Sequence, residues 1–190
     1  MKDTIKSVIK TSKYVFNRKL VSGKAGNISA RFKDGNIDVI AITPTLKSLN
    51  RLKEEDIVLV DINGNNLTKG TPSSEVFMHL YIYQSREDVN GIVHTHSPYA
   101  TGFSFSNQKI KRLEGFGKIE NEYLEELDYE KPGSGDLARK AAMKLDEDDV
   151  LILKNHGIIA VGKDVAEAGD LAEFIEETAK TQYISKTLDQ

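Results

Sequence analysis

Short apolar runs bounded by turn residues mark the predicted strands along the chain. Residues 28–32 and 37–42 are short apolar runs joined by a loop that contains an Asp-Gly pair. This arrangement predicts a β-hairpin. A third apolar run, residues 57–62, ends at an Asn-Gly pair, which is a second hairpin signal. The sheet is therefore predicted to be at least partly antiparallel.

A period of three to four residues marks the predicted helices. It covers the first twenty residues up to about Gly23, the segment that opens at Ser73-Ser74-Glu75, residues 136–145 and a long C-terminal stretch from Val165. A serine is predicted to be the N-cap of the second of these helices. Helices interleaved with strands and hairpins predict a mixed or mostly antiparallel sheet flanked by helices, in a single domain over residues 1–190.

Composition narrows the classes of function. The 190 residues include no cysteine, so disulfides and thiolate metal sites are excluded and any metal must rest on histidine or carboxylate. The 26 basic and 29 acidic residues are interspersed and leave a net charge of −3, which predicts no nucleic-acid partner. No apolar run has the length of a membrane span, and no leader pattern is visible. We therefore expect a soluble cytoplasmic protein that acts on a small molecule.

Two histidines at the end of an apolar run carry the strongest chemical signal. His94 and His96 are one residue apart, so in a strand their side chains share a face and lie roughly 6–7 Å apart along the backbone. His156 follows another apolar run and precedes Gly157. Three imidazoles with one open position commonly form a catalytic zinc site. The ordinary alternative is that one histidine of the pair is a buried polar group and the other faces solvent.

Polar residues at predicted turns and at one helix start are further candidates. Glu75 is predicted to lie in the first turn of a helix, where a carboxylate can serve a site or simply favour the helix start. His79, four residues later, is predicted to be structural rather than a ligand. Asn27 and Thr45 stand in turn-like contexts, where amide and hydroxyl groups can hold phosphate oxygens.

Five short motifs in one order extend these separate signals to the whole chain. They are Gly26-Asn27-Ile28-Ser29, Ile42-Thr43-Pro44-Thr45, Pro72-Ser73-Ser74-Glu75, His94-Thr95-His96-Ser97-Pro98 and Asn155-His156-Gly157. In this order and approximate spacing the chain resembles the class II aldolase/epimerase family, and most closely its L-fuculose-1-phosphate aldolase type. The resemblance runs from the first predicted helix to the last.

The resemblance implies a fold, an assembly and residue roles. The implied fold is a three-layer α/β/α subunit, in a C4 homotetramer whose active sites lie between subunits. His94, His96 and His156 would hold one Zn²⁺ per subunit, with Mn²⁺ or Co²⁺ as alternatives. Glu75 would be the general base and would also ligate the metal when substrate is absent. The implied phosphate-binding residues are Gly26, Asn27, Thr45, Ser73 and Ser74.

The implied reaction is reversible cleavage of a ketose 1-phosphate, such as L-fuculose 1-phosphate, to dihydroxyacetone phosphate and a small aldehyde such as L-lactaldehyde. It would pass through a zinc-stabilised enediolate. The bacterial aldolases of the family use two tyrosines for the general-acid role, one after the His-x-His strand and one in a C-terminal tail. Near the first of these positions the chain has residues 112–116, which include no tyrosine. Tyr123, Tyr129 and Tyr183 stay open as substitutes. Leu46 stands where the family usually has glycine.

Other activities occur on the same scaffold. Pentulose-phosphate 4-epimerases, which act on L-ribulose 5-phosphate, carry a His-Ala-Asp-Tyr-like segment that is not found between residues 104 and 131. Methylthioribulose-1-phosphate dehydratases also share this scaffold, and the sequence does not distinguish them from the aldolases. A non-catalytic adducin-like scaffold domain is disfavoured by the three histidines and Glu75. A three-histidine hydratase unrelated to sugars would leave the Ser73-Ser74 and Gly26-Asn27 motifs unexplained.

Overall fold

The computed structural model describes residues 1–112 and 121–189, and within them the chain forms one seven-stranded sheet and five α-helices. The strands are β1 (Asn27–Asp34), β2 (Ile37–Ile42), β3 (Val58–Asp61), β4 (Gly91–Thr95), β5 (Glu125–Leu127), β6 (Val150–Leu153) and β7 (Gly157–Gly162). The helices are α1 (Lys2–Asn17), α2 (Val76–Ser85), α3 (Pro98–Ser104), α4 (Gly135–Lys144) and α5 (Val165–Leu188). None of these helices in the described chain is both long and apolar enough to span a bilayer.

The strands lie in the order β3-β2-β1-β4-β7-β6-β5. Every neighbouring pair is antiparallel except β5 and β6, which run parallel. β4 occupies the middle of the sheet, so His94 lies opposite Asn27 of β1 and Ile159 of β7. Because a central strand is hydrogen-bonded on both edges, the position of His94 is set by two independent registers.

Alternating apolar residues give the sheet two buried faces. In β2, for example, Val39 and Ala41 belong to one hydrophobic core, and Ile40 and Ile42 belong to the other. Helices α1, α3 and α5 pack on the first face, and α2 and α4 cover the second. Burial on both faces makes the strands read as nearly continuous apolar runs rather than as a strict alternation. The predicted three-layer α/β/α fold with a mixed, mostly antiparallel sheet is confirmed.

Three elements of this fold were not predicted. The apolar run before His156 forms β6, which ends at Leu153; the chain then turns, and β7, which was not predicted, begins at Gly157. α3 is short and begins with Pro98 at its first turn, a signal that marks helix starts. β5 has three residues, two of them glutamates, and its pairing with β6 alone identifies it as a strand.

The Asn-Gly pair after β3 forms a turn, and the predicted hairpin is limited to a short antiparallel return, with Asp61 N donating to Asn65 O at 3.0 Å and Leu67 N donating to Leu59 O at 2.8 Å. The Asp61 carboxylate accepts hydrogen bonds from the main-chain N–H groups of Asn63 and Asn65, and so organises the turn locally. The returning chain makes an isolated bridge between Val60 and Asn66 and no strand. The loop's polar side chains give it no apolar face with which to extend the sheet.

Candidate active site and metal centre

Three histidines from two neighbouring parts of the sheet converge at one end of β4. His94 lies in β4 and His96 follows the strand, while His156 lies in the turn between β6 and β7. The ring centroid of His94 lies 4.8 Å from that of His96 and 4.8 Å from that of His156, and the centroids of His96 and His156 are 4.9 Å apart. Among the His, Asp and Glu side chains of the described residues, these three histidines are the one group of at least three whose ligand atoms all lie within 4.8 Å of one another.

The turn that delivers His156 depends on two unusual backbone positions. Asn155 has a φ of 57°, in the left-handed region that asparagine tolerates better than most residues. Gly157 lies against β4, where a Cβ atom would come within 2.3 Å of the Thr95 carbonyl oxygen and 3.0 Å of His96 Cδ2. A glycine at this position therefore lets the His156 turn approach the histidine pair.

The histidines are neutral and at least one is held in a defined tautomer. Burial lowers the pKa of His94 well below its usual value, and the neighbouring imidazoles lower it further. Burial likewise lowers the pKa of His96 and His156. The Nδ1–H of His94 donates to the carbonyl oxygen of Ile158 at 2.8 Å, which leaves its Nε2 lone pair facing the cluster. A backbone carbonyl on the far nitrogen is a typical support for a metal-binding imidazole.

Glu75 brings a carboxylate to the same place from α2. Its Oε2 lies 3.2 Å from His94 Nε2, and its Oε1 lies 3.6 Å from His156 Nε2. The Oε1 atom is buried and accepts no hydrogen bond from the residues that the structure describes. A buried carboxylate oxygen without a donor is costly, and a cation beside the neutral histidines would relieve that cost. Three imidazole nitrogens and one carboxylate oxygen are a donor set that fits Zn²⁺, Mn²⁺ or Co²⁺.

The predicted serine N-cap of α2 is wrong. Glu75 itself occupies the N-cap position, and it makes no side-chain capping bond because its carboxylate faces the histidines. Ser73 instead accepts a hydrogen bond from the Glu75 main-chain N–H at 3.2 Å, a local serine turn before the helix. α2 therefore begins without a side-chain N-cap, and the Glu75 carboxylate lies beside the histidines instead.

Gly26 and Asn27 lie directly beside the histidines at the start of β1. Gly26 has a φ of 77°, and a Cβ atom there would approach the His94 carbonyl oxygen to 2.8 Å. Asn27 pairs with His94 across the sheet, and its Nδ2 donates to Glu75 Oε2 at 2.9 Å. One N–H of the Asn27 amide is therefore used to hold the carboxylate.

The predicted phosphate-binding hydroxyls lie in two loops that the fold ties together. An isolated bridge joins Pro44 to Pro72, and Thr45 N donates to the Thr71 carbonyl oxygen at 3.1 Å. Ser73 is buried and Ser74 is exposed. Thr43 connects these loops to β1, because its Oγ1 accepts from Ile28 N at 3.1 Å. The structure thus connects the Gly26-Asn27, Thr45 and Ser73-Ser74 segments to one another.

Leu46 and the three candidate tyrosines are exposed. Leu46 is 74% exposed and has a φ of 58°, the conformation that the glycine usual at this position would favour. Tyr123, Tyr129 and Tyr183 are all exposed, and across residues 1–112 and 121–189 no hydrogen bond joins them to the histidines. Most of the 112–116 segment, where the family's acid was sought, lies outside the described residues.

Two residues beneath the site were missed at the sequence level. Ser29 and Tyr83 are fully buried and extend a hydrogen-bonded group that begins at Asn27 and includes His79. The prediction that His79 is structural and not part of the ligand set agrees with this geometry. A signal was present, since polar residues stand two apart in β1 and four apart in α2.

Comparison with known proteins places this geometry in a family. Residues 6–183 match the family model described as class II aldolase and adducin N-terminal domain. The chain belongs to the class II aldolase family. This match confirms the family resemblance that the five motifs indicated, and the aldolase relatives described next confirm the prediction of an aldolase.

The relatives of this class II aldolase include both curated proteins and solved structures. It is 43% identical to an L-fuculose phosphate aldolase of Methanococcus maripaludis, over 95% of this chain and 96% of that one. It is also 43% identical to an L-fuculose phosphate aldolase of Methanocaldococcus jannaschii, with the same coverage of 95% and 96%. A solved L-fuculose 1-phosphate aldolase superposes with a TM-score of 0.88 at 30% identity, over 100% of this chain and 89% of that one.

Proposed function

We propose that this class II aldolase reversibly cleaves a ketose 1-phosphate of the L-fuculose 1-phosphate kind into dihydroxyacetone phosphate and a small aldehyde such as L-lactaldehyde. The observation that carries the proposal is the unpartnered Oε1 of Glu75, buried 3.6 Å from His156 in a cluster of neutral histidines. The names of the relatives support the substrate class.

The metal ligands proposed are His94, His96 and His156, with Glu75 as a fourth ligand when substrate is absent. We propose Zn²⁺ as the cofactor, one per subunit, with Mn²⁺ or Co²⁺ able to replace it on the same donor set. When bound, such an ion would polarise a ketone carbonyl and stabilise negative charge on its oxygen. Every ligand is nine-tenths or more buried except His96, which is partly exposed.

Glu75 is the proposed general base. A carboxylate cannot remove the proton next to a ketone unless that proton is acidified, and its oxygen must already point at the reacting carbon. Asn27 holds Oε2 at 2.9 Å, and within the described parts of the chain Oε1 has no hydrogen bond, so Oε1 is the oxygen that would accept the proton. At 7% exposure, the side chain reacts largely away from bulk water.

The proposed phosphate site is formed by the segments around Thr43, which joins them. Main-chain N–H groups and short hydroxyls in loops form anion-binding concavities, and the proposed members have these groups. Binding energy from the phosphate, remote from the reacting carbons, would position the substrate. The members are Gly26, Asn27, Thr45, Ser73 and Ser74.

We further propose a single-domain subunit over residues 1–190, a C4 homotetramer with its active sites at subunit interfaces, and a cytoplasmic location. Equilibrium sedimentation of the purified protein tests the assembly directly. A monomer at micromolar concentration would contradict it.

The test of function is solvent deuterium uptake at C1 of dihydroxyacetone phosphate, followed by NMR with zinc-loaded and chelator-stripped protein. We expect metal-dependent exchange in the wild type without any aldehyde, and none above background in Glu75→Gln. Glu87→Gln, an exposed carboxylate remote from the histidines, is the matched control and should keep the wild-type rate. Wild-type exchange by Glu75→Gln would refute the assigned base.

The same samples separate the alternatives on this scaffold. An epimerase would interconvert L-ribulose 5-phosphate and its C4 epimer, and a dehydratase would release water from methylthioribulose 1-phosphate. A scaffold domain would show neither turnover nor bound metal. Exchange at C1 together with aldehyde-dependent product formation distinguishes the proposed aldolase from all three.

A further inference from the structure

A row of four hydrogen bonds runs beneath the site from Tyr83 to Glu75. The Tyr83 hydroxyl lies 2.8 Å from Ser29 Oγ, which lies 2.7 Å from His79 Nδ1. His79 Nε2 lies 2.5 Å from Asn27 Oδ1, and Asn27 Nδ2 lies 2.9 Å from Glu75 Oε2. The four supporting side chains are at most 5% exposed, so the groups that form the row have little access to water and depend on one another for these hydrogen bonds.

The chemistry of each group sets the direction of every bond in the row. The Glu75 carboxylate only accepts, so the Asn27 amide nitrogen donates to it and the amide oxygen must accept. Burial lowers the pKa of His79 to about 3, so its imidazole is neutral and has one N–H to give. That N–H must be on Nε2 if Asn27 Oδ1 is to receive it.

The far end of the row supplies the matching proton. With Nε2 protonated, His79 Nδ1 can only accept, so the Ser29 hydroxyl donates to it. Ser29 Oγ then accepts from the Tyr83 hydroxyl. Burial raises the pKa of Tyr83, which keeps the phenol protonated and able to donate. All four bonds therefore point from Tyr83 toward the carboxylate, and such aligned bonds reinforce one another.

We propose that His79 is a positioning residue: its Nε2–H fixes the amide of Asn27, and the amide fixes which oxygen of Glu75 faces the substrate. A reversed amide would place Asn27 Oδ1 against Glu75 Oε2, two acceptors in contact, and would release the carboxylate to rotate. The hydrogen bond from His79 prevents that reversal. The assignment of Oε1 as the proton acceptor rests on the proposed function, whereas the orientation of Asn27 does not.

A pair of substitutions separates positioning from packing. His79→Gln keeps an amide N–H near the position of Nε2 and can still donate to Asn27, while His79→Leu fills similar space without a donor. Loss of a partner that orients an active-site group typically costs about 10- to 100-fold in activity. We expect His79→Leu to lower kcat for C1 proton exchange by that factor, with KM for dihydroxyacetone phosphate within about twofold. His79→Gln should stay within about threefold of wild type.

Two kinetic outcomes would overturn the proposal. The first is a His79→Leu enzyme with wild-type kcat and normal metal content. The second is an equal loss in both variants that follows their loss of thermal stability, since a packing role does not distinguish glutamine from leucine. Metal content and melting temperature are measured on the same samples.

A measurement on the resting protein does not depend on activity. In the metal-free wild type, imidazole ¹⁵N shifts distinguish a protonated from an unprotonated ring nitrogen, and we expect His79 to carry its proton on Nε2. Ser29→Ala, which removes the donor to Nδ1, should weaken that preference. A proton on Nδ1 in the wild type would overturn the proposal. If the wild type shows no C1 exchange, the proposed function fails while this measurement still decides the orientation of Asn27.

Discussion

Acid should weaken the fold through His79, and the size of the effect follows from its burial. His79 is completely buried, and desolvation, with a smaller contribution from His94, lowers its pKa from 6.5 to about 3. In the unfolded chain the same side chain titrates near 6.5. Between those values the unfolded state binds the proton and the folded state does not. The stability that His79 contributes is therefore complete above about pH 7 and is lost as the pH falls toward 3.

The linkage relation converts these pKa values into a free energy of unfolding. The slope approaches about 1.4 kcal/mol per pH unit for one proton. Integrated from pH 8 to pH 5, a histidine with pKa values of 6.5 unfolded and about 3 folded accounts for about 2 kcal/mol of lost stability. That is a large part of the total for an ordinary domain, which is roughly 5–15 kcal/mol.

Urea unfolding of metal-stripped wild type and His79→Gln at pH 8, 7, 6 and 5 measures this contribution. Glutamine does not titrate, so the variant should lose about 2 kcal/mol less than wild type between pH 8 and pH 5. The three cluster histidines are present in both proteins, and their acid sensitivity cancels in the comparison. Parallel pH profiles, whatever the offset between them, would show that His79 is not held neutral by burial and would refute the reasoning.

Two backbone positions give further predictions. Leu46 has a φ of 58° and is largely exposed, so Leu46→Gly should relieve left-handed strain and raise the free energy of unfolding by about 0.5 kcal/mol, net of the greater entropy of unfolded glycine. Leu46→Ala keeps the strain and should show no gain in the same urea titration. Gly157→Ala places a Cβ 2.3 Å from the Thr95 carbonyl oxygen and should cost about 1–3 kcal/mol and weaken zinc binding, measured by metal titration. Gly102→Ala, which has open space around it in α3, should leave zinc binding unchanged; equal zinc affinity in the two variants would contradict the close approach at Gly157.

Local sequence patterns were sufficient to predict those elements whose turns and caps are formed by their own residues. The hairpin of β1 and β2 followed from two apolar runs and an Asp-Gly pair, and its antiparallel register is as expected. The long helix α5 followed from the three-to-four-residue period, and α4 begins after Ser134, whose hydroxyl caps it. Such elements carry their own turn and cap chemistry, so sequence predicts them well.

Local patterns failed where a neighbouring element decides the outcome. β7 was not predicted as a strand, and its antiparallel pairing with β4 and β6 shows where it begins. The predicted serine cap of α2 failed because Glu75 is drawn toward the histidines and Asn27. A local preference worth about 1 kcal/mol does not outweigh the placement of a buried carboxylate.

The amino-acid sequence by itself determined the short apolar runs that become buried strands, the motif order that identifies the family, and the His94-x-His96 pair on one face of a strand. Those properties depend on the spacing of residues along the chain, which the sequence specifies directly. Only the tertiary structure decided that His156 and Glu75 lie within 3.6 Å of each other, and that Ser29, His79 and Tyr83 form one directed row beneath them. Contacts between distant segments depend on strand order and helix packing, and no local period contains that information.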